Sequence, residues 1–215
     1  MNHFDLIDGE LHGERVPLRE IAAAVGTPVY VYSRATLERH AQVFQAGVAQ
    51  AGKTHVAFAI KANPNLAVLK VLAREGCGAD VVSGGEMARA IAAGVPADGI
   101  VFSGVGKSAK EMVDALDAGI GQFNIESEEE GVELAAVAAA RGKVAQATLR
   151  VNPDVDARTH AKISTGKKEN KFGVPIDTAS AIYGRLSALE GLHLRGVALH
   201  IGSQLLTLDP LEEAF

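Results

Sequence analysis

An unbroken apolar run that ends in a lysine is the first feature of this sequence that could do chemistry. No polar side chain occurs between His55 and Lys61, which is typical of a parallel strand buried on both faces. Lys61 therefore falls at the C-terminal end of that strand, on the rim where α/β proteins bind ligands. An amine that loses hydration among apolar neighbours can attack a carbonyl and form a Schiff base. The alternative is a lysine whose stem lies along the strand while its head reaches water, and the run by itself favours that alternative.

Three further predicted strands carry polar groups near their ends. Asp80 and Arg150 each interrupt an apolar strand, and His200 ends another. A charge inside an apolar strand needs a partner or a ligand. A salt bridge between Asp80 and Arg150 would satisfy both charges, but four polar groups on one rim, Lys61 included, favour a ligand site.

The residues that follow His200 suit a planar ligand that carries an anion. The imidazole is followed at once by Ile201, Gly202 and Ser203. A flat ring could stack on His200, while the backbone at Gly202 and the hydroxyl of Ser203 approach a phosphate. The alternative is a hydrogen-bonded core histidine.

A loop of about twenty residues between Pro153 and Gly173 is longer than compact domains usually carry without a functional reason. It contains Arg158, His160, Lys162, Ser164, Thr165, Gly166, Lys167, Lys168 and Lys171. The sequence leaves two interpretations open, a lid over an acidic substrate and a solvated basic flap.

Regular elements surround these residues. Asp8-Gly9 between apolar residues predicts a hairpin over 4–11, and Asn63 and Pro64 predict a helix cap directly after Lys61. Ser108 with Glu111 and Ser127 with Glu130 predict two capping boxes. Strands are predicted at 29–32, 55–60, 79–83, 100–103, 122–125, 147–151 and 194–200. Helices are predicted at 18–25, after Ser33 with an apolar stripe of Leu37, Ala41, Phe44 and Val48, at 66–74, between the later strands and from near Asp177.

The alternation of strands and helices predicts the fold class. From residue 55 a strand recurs at roughly every two dozen residues, which indicates a parallel sheet covered by helices. The turn after the first of these strands lacks the Gly-x-Gly-x-x-Gly of dinucleotide folds, so we expect an α/β fold of the TIM-type (β/α) barrel class. Such a barrel needs about eight strands and only about six are found. We therefore expect an incomplete barrel from the N-terminal part of a longer protein, with the first and sixth strands as unpaired edges.

Composition limits the function classes. The chain has 215 residues, 47% of them hydrophobic, and a formal net charge of −5. No basic stripe is present for nucleic acid, and no targeting segment or apolar run of membrane-spanning length occurs, so we expect a cytoplasmic protein without nucleic-acid or membrane partners. The single cysteine, Cys77, is expected to be a small buried hydrophobe. No metal site is predicted.

Five motifs in order resemble one enzyme class. They are Phe-Ala-Ile-Lys-Ala-Asn at 58–63, Ser-Gly-Gly-Glu at 83–86, Arg-Val-Asn-Pro at 150–153, Ile-Ser-Thr-Gly at 163–166 with Lys-Phe-Gly at 171–173, and His-Ile-Gly-Ser-Gln at 200–204. Together they resemble the alanine-racemase-like (fold type III) pyridoxal-phosphate enzymes. Within that class Gln204 and the Ser-Thr-Gly loop fit the diaminopimelate decarboxylase family better than the ornithine and arginine decarboxylases.

The resemblance implies the cofactor, pyridoxal 5'-phosphate, and its ligands. Lys61 would hold the cofactor covalently and His200 would stack on its ring, which makes these two the expected catalytic residues. Arg150 would lie beside the phenolic oxygen. The remaining expected cofactor-site residues are Gly202 and Ser203 at the phosphate, with Asp80 and Glu86 in a supporting role.

The resemblance also implies a reaction and a domain plan. Loss of carbon dioxide from meso-diaminopimelate would give L-lysine in a homodimeric parent protein. Residues 1–34 would form a hairpin segment that joins a C-terminal β domain, and residues 35–215 a partial pyridoxal-phosphate-binding barrel. Since the family's further cofactor and substrate residues lie beyond position 215, we expect little activity from this chain alone. Alternatives are an ornithine- or arginine-type decarboxylase, an amino-acid racemase, a non-catalytic cofactor-binding barrel and a class I aldolase barrel.

Overall fold

The computed structural model describes residues 2–155 and 172–215, so most of the predicted basic loop lies outside the described residues. The strands are β1 Phe4–Ile7, β2 Glu10–Gly13, β3 Val16–Pro17, β4 Ala57–Ala59, β5 Gly78–Val81, β6 Ile100–Phe102, β7 Gln122–Ile125, β8 Ala145–Asn152, β9 Val174–Pro175 and β10 Leu192–Ala198. The helices are α1 Leu18–Val25, α2 Arg34–Val48, α3 Leu66–Arg74, α4 Gly84–Ala92, α5 Ala109–Ala118, α6 Glu128–Ala140, α7 Ile176–Ser187 and α8 Asp209–Ala214. No helix in these ranges is long and apolar enough to cross a membrane.

A small antiparallel sheet precedes the main one. Strands β1, β2 and β3 pair in that order, and the turn between the first two has Asp8 at φ 49° and Gly9 at φ 82°. Positive φ at both turn positions is what a two-residue hairpin needs. The predicted hairpin is confirmed.

The main sheet is parallel. Its order is β10-β8-β7-β6-β5-β4, with β9 beside β8, and each neighbouring pair runs parallel. Within the described chain β4 and β10 are the outer strands, so the predicted edges are confirmed. The α/β prediction is also confirmed, and the barrel is not closed in this chain.

The core lies between this sheet and the helices that follow its strands. Phe102 of β6 and Phe123 of β7 are almost fully buried and stack with their ring centroids 6.2 Å apart. Met112 of α5 and Leu134 of α6 are fully buried against them in the same cluster. This packing fixes the strands whose C-terminal ends carry the predicted polar groups.

The strand predicted at residues 29–32 is wrong. Val29, Tyr30 and Tyr32 are exposed, and no strand of the described chain lies beside them to complete a ladder. β-Rich composition alone does not form a strand without a neighbour that satisfies its backbone groups.

The helix starts mostly follow the predicted caps. Side-chain caps are formed by Ser33, Asn65, Ser83, Ser108 and Ser127. The predicted cap Asn63 is wrong: its Oδ1 accepts from the backbone N of Asn65 at 3.1 Å, and Asn65 caps α3. Asn63 instead ends the one-turn 3-10 helix Ile60–Ala62, and α3 begins at Leu66 as predicted.

Two finer predictions need correction. Ser108 and Glu111 form the complete capping box, but Glu130 does not bond back to the backbone of Ser127 because its carboxylate pairs with Lys107 at 2.6 Å. The prediction of an apolar stripe on α2 is only partly confirmed, since Ala41 is buried but Phe44 is 60% exposed. The buried part packs against α3 and against Phe58 of β4.

Candidate active site

A cavity of about 270 Å³ opens at the C-terminal ends of the parallel strands. Its lining residues are Lys61, Asp80, Val82, Ser103, Gly104, Asn124, Arg150, Phe172, Ala198, Leu199 and His200. The four polar groups that the sequence placed on one rim therefore meet in one cavity, because the C-terminal ends of parallel strands share an edge of the sheet.

Lys61 lies in the 3-10 turn directly after β4. Ile60, the residue before it, is fully buried and anchors the turn, whereas Lys61 itself is exposed at the cavity rim. The amine is thus accessible to a carbonyl compound that enters the cavity.

Asp80 points a carboxylate into the cavity from β5. The hydroxyl of Ser103 donates to its Oδ1 at 2.5 Å, and the amide of Asn124 donates to that hydroxyl at 2.9 Å. Burial raises the pKa of Asp80, although the Ser103 hydrogen bond and the charge of Lys61 oppose the increase. Burial thus disfavours the charged form of Asp80 relative to an exposed aspartate.

Arg150 is buried, and only part of its guanidinium is satisfied. Its Nη1 donates to Glu126 Oε1 at 2.9 Å, and its Cζ lies 5.0 Å from the ring centroid of Phe172. Its Nη2 is buried without a hydrogen-bond partner, a statement that covers the described residues. The Asp80–Arg150 salt bridge considered from the sequence is not formed, because Glu126 takes that place.

His200 lies two residues beyond β10 and is half-buried. Its Nδ1 accepts from the backbone N of Gly202 at 3.2 Å. Burial, with the charges of Arg150 and Lys61 in the same direction, lowers the pKa of His200. The imidazole is therefore neutral near pH 7 and offers an uncharged flat face.

Three predicted site residues do not line the cavity. Glu86 accepts from the backbone N of Val82 at 2.8 Å at the start of α4, and Ser203 is exposed. Gly202 touches the site only through its hydrogen bond to His200. Their roles at a cofactor stay predictions.

The sequence analysis missed Ser103, Asn124 and Glu126. Each occupies or follows the end of β6 or β7, so the signal used for Asp80 and Arg150, a polar residue at an apolar strand end, was available for these strands too. Within residues 2–155 and 172–215 no three His, Cys, Asp or Glu side chains are grouped to hold a metal ion.

Comparison with known proteins gives a consistent family. Residues 34–215 match the sequence model of the pyridoxal-dependent decarboxylases, pyridoxal binding domain. A diaminopimelate decarboxylase of Zymomonas mobilis is 53% identical over 98% of this chain and 51% of its own length. The chain spans about half the length of the curated relatives it matches.

Two solved structures share the fold. A diaminopimelate decarboxylase from Helicobacter pylori, complexed with L-lysine, has a TM-score of 0.87 and 41% identity, covering 92% of this chain and 50% of that one. A lysine decarboxylase from Selenomonas ruminantium has a TM-score of 0.79 and 26% identity, covering 92% of this chain and 48% of its own.

The cavity fits the cofactor that this family binds. An accessible amine suits the aldehyde of pyridoxal phosphate, and a neutral imidazole suits the face of its ring. The buried Nη2 of Arg150 has a hydrogen bond to give, which an oxygen of the cofactor would accept. On the sequence match and this donor set, the chain belongs to the pyridoxal-dependent decarboxylases, and its residues 34–215 form their pyridoxal-binding domain.

Proposed function

We propose that the whole protein containing this chain converts meso-diaminopimelate to L-lysine and carbon dioxide with pyridoxal 5'-phosphate. The observation that carries the proposal is the meeting of Lys61, Arg150 and His200 in one cavity of a chain that is 53% identical to a diaminopimelate decarboxylase. The L-lysine in the Helicobacter pylori structure is the expected product and supports the same assignment.

The cofactor, when bound, supplies an electron sink for the pair left behind when carbon dioxide departs. Lys61 supplies the amine that holds it. His200 presents its neutral ring to the cofactor ring, and the neutral state avoids placing a second positive charge against the pyridinium.

The remaining residues of the site are proposed to hold and orient the cofactor and the substrate. Arg150 Nη2 would donate to an oxygen of the cofactor, and the cationic groups of Lys61 and Arg150 would attract the phosphate and the substrate carboxylates. Gly202 and Ser203 are proposed to hold the phosphate, and Asp80 and Glu86 to support the ring from the β5 side.

The function is tested in the whole protein with Lys61→Ala. We expect loss of lysine formation from meso-diaminopimelate, and loss of the label that borohydride reduction fixes at residue 61 in the presence of pyridoxal phosphate. Lys70→Ala, an exposed lysine of α3, is the matched control and should behave as wild type. A borohydride label on a different lysine, or full activity of Lys61→Ala, would contradict the proposal.

A second candidate is decarboxylation of a different basic amino acid, such as ornithine or lysine, on the same fold. The Selenomonas ruminantium lysine decarboxylase with a TM-score of 0.79 is the observation that favours it. Carbon dioxide release from meso-diaminopimelate, ornithine, arginine and lysine, measured side by side, separates the two. Racemisation of a substrate without carbon dioxide release would indicate a racemase.

We also propose a domain plan and an assembly. Residues 1–34, which include the separate β1-β2-β3 sheet, are proposed to join a C-terminal β domain, and residues 35–215 to form part of the barrel. A cytoplasmic homodimer is proposed from the family resemblance. Light scattering of the whole protein and cell fractionation test these last two points.

A further inference from the structure

Glu126, which follows β7 directly, holds three donors with one buried carboxylate. Its Oε1 accepts from the backbone N of Gly104 at 2.9 Å and from Arg150 Nη1 at 2.9 Å. Its Oε2 accepts from the backbone N of Gly173 at 3.1 Å. The side chain is 1% exposed, and a carboxylate so far from water is tolerated only when its oxygens are satisfied in this way.

We propose that Glu126 is a positioning residue for the cofactor and acts through Arg150. The guanidinium is planar, so fixing Nη1 on Glu126 also fixes the direction of Nη2. Nη2 is the buried donor that lacks a partner among the described residues, and Arg150 lines the cavity. The inference rests on the proposed function, because the oxygen that Nη2 meets is that of pyridoxal phosphate.

A second layer keeps Glu126 in place. Glu130 Oε2 accepts from the backbone N of Glu126 at 3.1 Å, while Glu130 Oε1 pairs with the fully buried ammonium of Lys107 at 2.6 Å. The same ammonium donates to the backbone oxygens of Gly104 at 2.6 Å and Asn124 at 2.8 Å. The ends of β6 and β7 are therefore tied together around the backbone of Glu126, which fixes the point from which its side chain reaches Arg150.

The segment that returns at residues 172–173 closes the other side of Arg150. The ring of Phe172 lies 5.0 Å from the Cζ of Arg150, and Gly173 comes so close that a Cβ there would lie 2.9 Å from the backbone oxygen of Arg150. The φ of Gly173 is also positive, at 73°. Glu126 thus connects the guanidinium, the β6 turn and this returning segment in one arrangement.

The test uses the whole protein and compares two Glu126 variants and one control with Arg150→Lys and with the double variant Glu126→Gln/Arg150→Lys. Glu126→Gln removes the charge and turns an NH₂ group toward one of the three donors. Glu126→Asp keeps the charge but withdraws it by one methylene. Glu128→Gln is the matched control. Glu128 lies two residues after Glu126 in the chain, and its carboxylate makes an exposed ion pair with Arg185.

The readouts are the dissociation constant of pyridoxal phosphate, from absorbance titration of the cofactor-free protein, and the pH midpoint of the bound cofactor's absorbance. We expect Glu126→Gln to weaken cofactor binding by about tenfold, the effect of an outer partner on a bound group, and to shift the pH midpoint in the direction that Arg150→Lys shifts it. Glu126→Asp should lie between Glu126→Gln and wild type. The double variant Glu126→Gln/Arg150→Lys should bind pyridoxal phosphate no more weakly than the more affected single variant, because both changes act on one contact.

Four results would overturn the inference. An unchanged pH midpoint in both Glu126 variants, even with a lower unfolding temperature, would show a merely structural role. Additive losses in the double variant would show that Glu126 does not act through Arg150. If wild type and Glu128→Gln take up no cofactor, the proposed function fails and this inference with it, whereas normal uptake by all Glu126 variants removes the inference alone.

Discussion

The charges of individual residues explain which ligands the cavity suits. Lys61 and Arg150 are cations, burial raises the pKa of Asp80, and the pKa of His200 is lowered. The amine of Lys61 and the guanidinium of Arg150 line the same cavity, so it can attract anionic groups such as phosphates and carboxylates. Glu126 neutralises Arg150 on the side away from its unsatisfied nitrogen, which leaves that nitrogen for a ligand.

The lowered pKa of His200 predicts a pH dependence of stability in the cofactor-free protein. Below the ordinary histidine value of 6.5 the unfolded chain binds a proton that the folded site resists, so stability is present above that pH and is lost as pH falls. His200→Gln removes this contribution. Urea unfolding at about pH 8 and about pH 5 should show a smaller loss of unfolding free energy in the variant than in wild type. An equal loss in the two proteins would contradict the assigned direction.

At the scale of elements, helix starts hold neighbouring βα units together. Glu111 completes the capping box of α5 with Ser108, and its Oε1 also accepts from the backbone N of Gly84, the first residue of α4, at 2.8 Å. One carboxylate thus satisfies donors at two helix N-termini, where negative charge is favourable. The box is visible in the sequence, whereas the bond to Gly84 depends on α4 and α5 being neighbours.

Glu111→Gln is therefore expected to lower the unfolding free energy by about 1 kcal/mol at neutral pH. The hydrogen bonds from Gly84 and Ser108 lower the pKa of Glu111 below its ordinary 4.5. Its contribution is present above that pH and is lost as pH falls further, so the two proteins should converge in acid.

The control for this measurement is Asp114→Asn in the same helix. Asp114 makes an exposed pair with Lys110, and its loss should change the unfolding free energy by less than about 0.5 kcal/mol. Equal effects of the two substitutions would indicate that Glu111 is only a surface charge.

At the scale of the whole molecule, the open edge at β10 is the main unsatisfied feature. A mainly apolar cavity of about 560 Å³ lies beside β10, α7 and the end of α8. Val197 of β10 lines it and is 59% exposed. Following the proposed barrel, we propose that a further βα unit covers this surface in the whole protein, because an apolar edge left open invites association.

This proposal makes a prediction for Val197→Asp in the whole protein. A charge placed under a covering βα unit should lower the unfolding free energy by about 2–3 kcal/mol. Val132→Asp is the control, since Val132 of α6 has a similar exposed fraction, 49%, and does not line this cavity. It should lower the unfolding free energy by less than about 1 kcal/mol. Thermal unfolding of the two variants gives the comparison, and a mild effect at Val197 would argue that β10 remains exposed.

Local patterns in the sequence were enough to predict most of the helices and strands and to identify four residues of the cavity. Hydrophobic runs, the Asp8-Gly9 turn and the serine caps depend on neighbours within a few residues. Parallel strands then bring Lys61, Asp80, Arg150 and His200 to one edge whatever their exact order. That is why these residues could be placed together before the structure was known.

Pairings between distant strands were decided by the tertiary structure alone. Residues 29–32 have a strand-like composition but no neighbouring strand in the described chain. Asn65 caps α3 in place of Asn63, because Asn63 ends the 3-10 turn Ile60–Ala62. Arg150 pairs with Glu126 and not with Asp80, because β8 lies beside β7 while β5 lies two strands further along. A sequence shows which residues need a partner, but only the order of the strands brings one of the available carboxylates within hydrogen-bond distance.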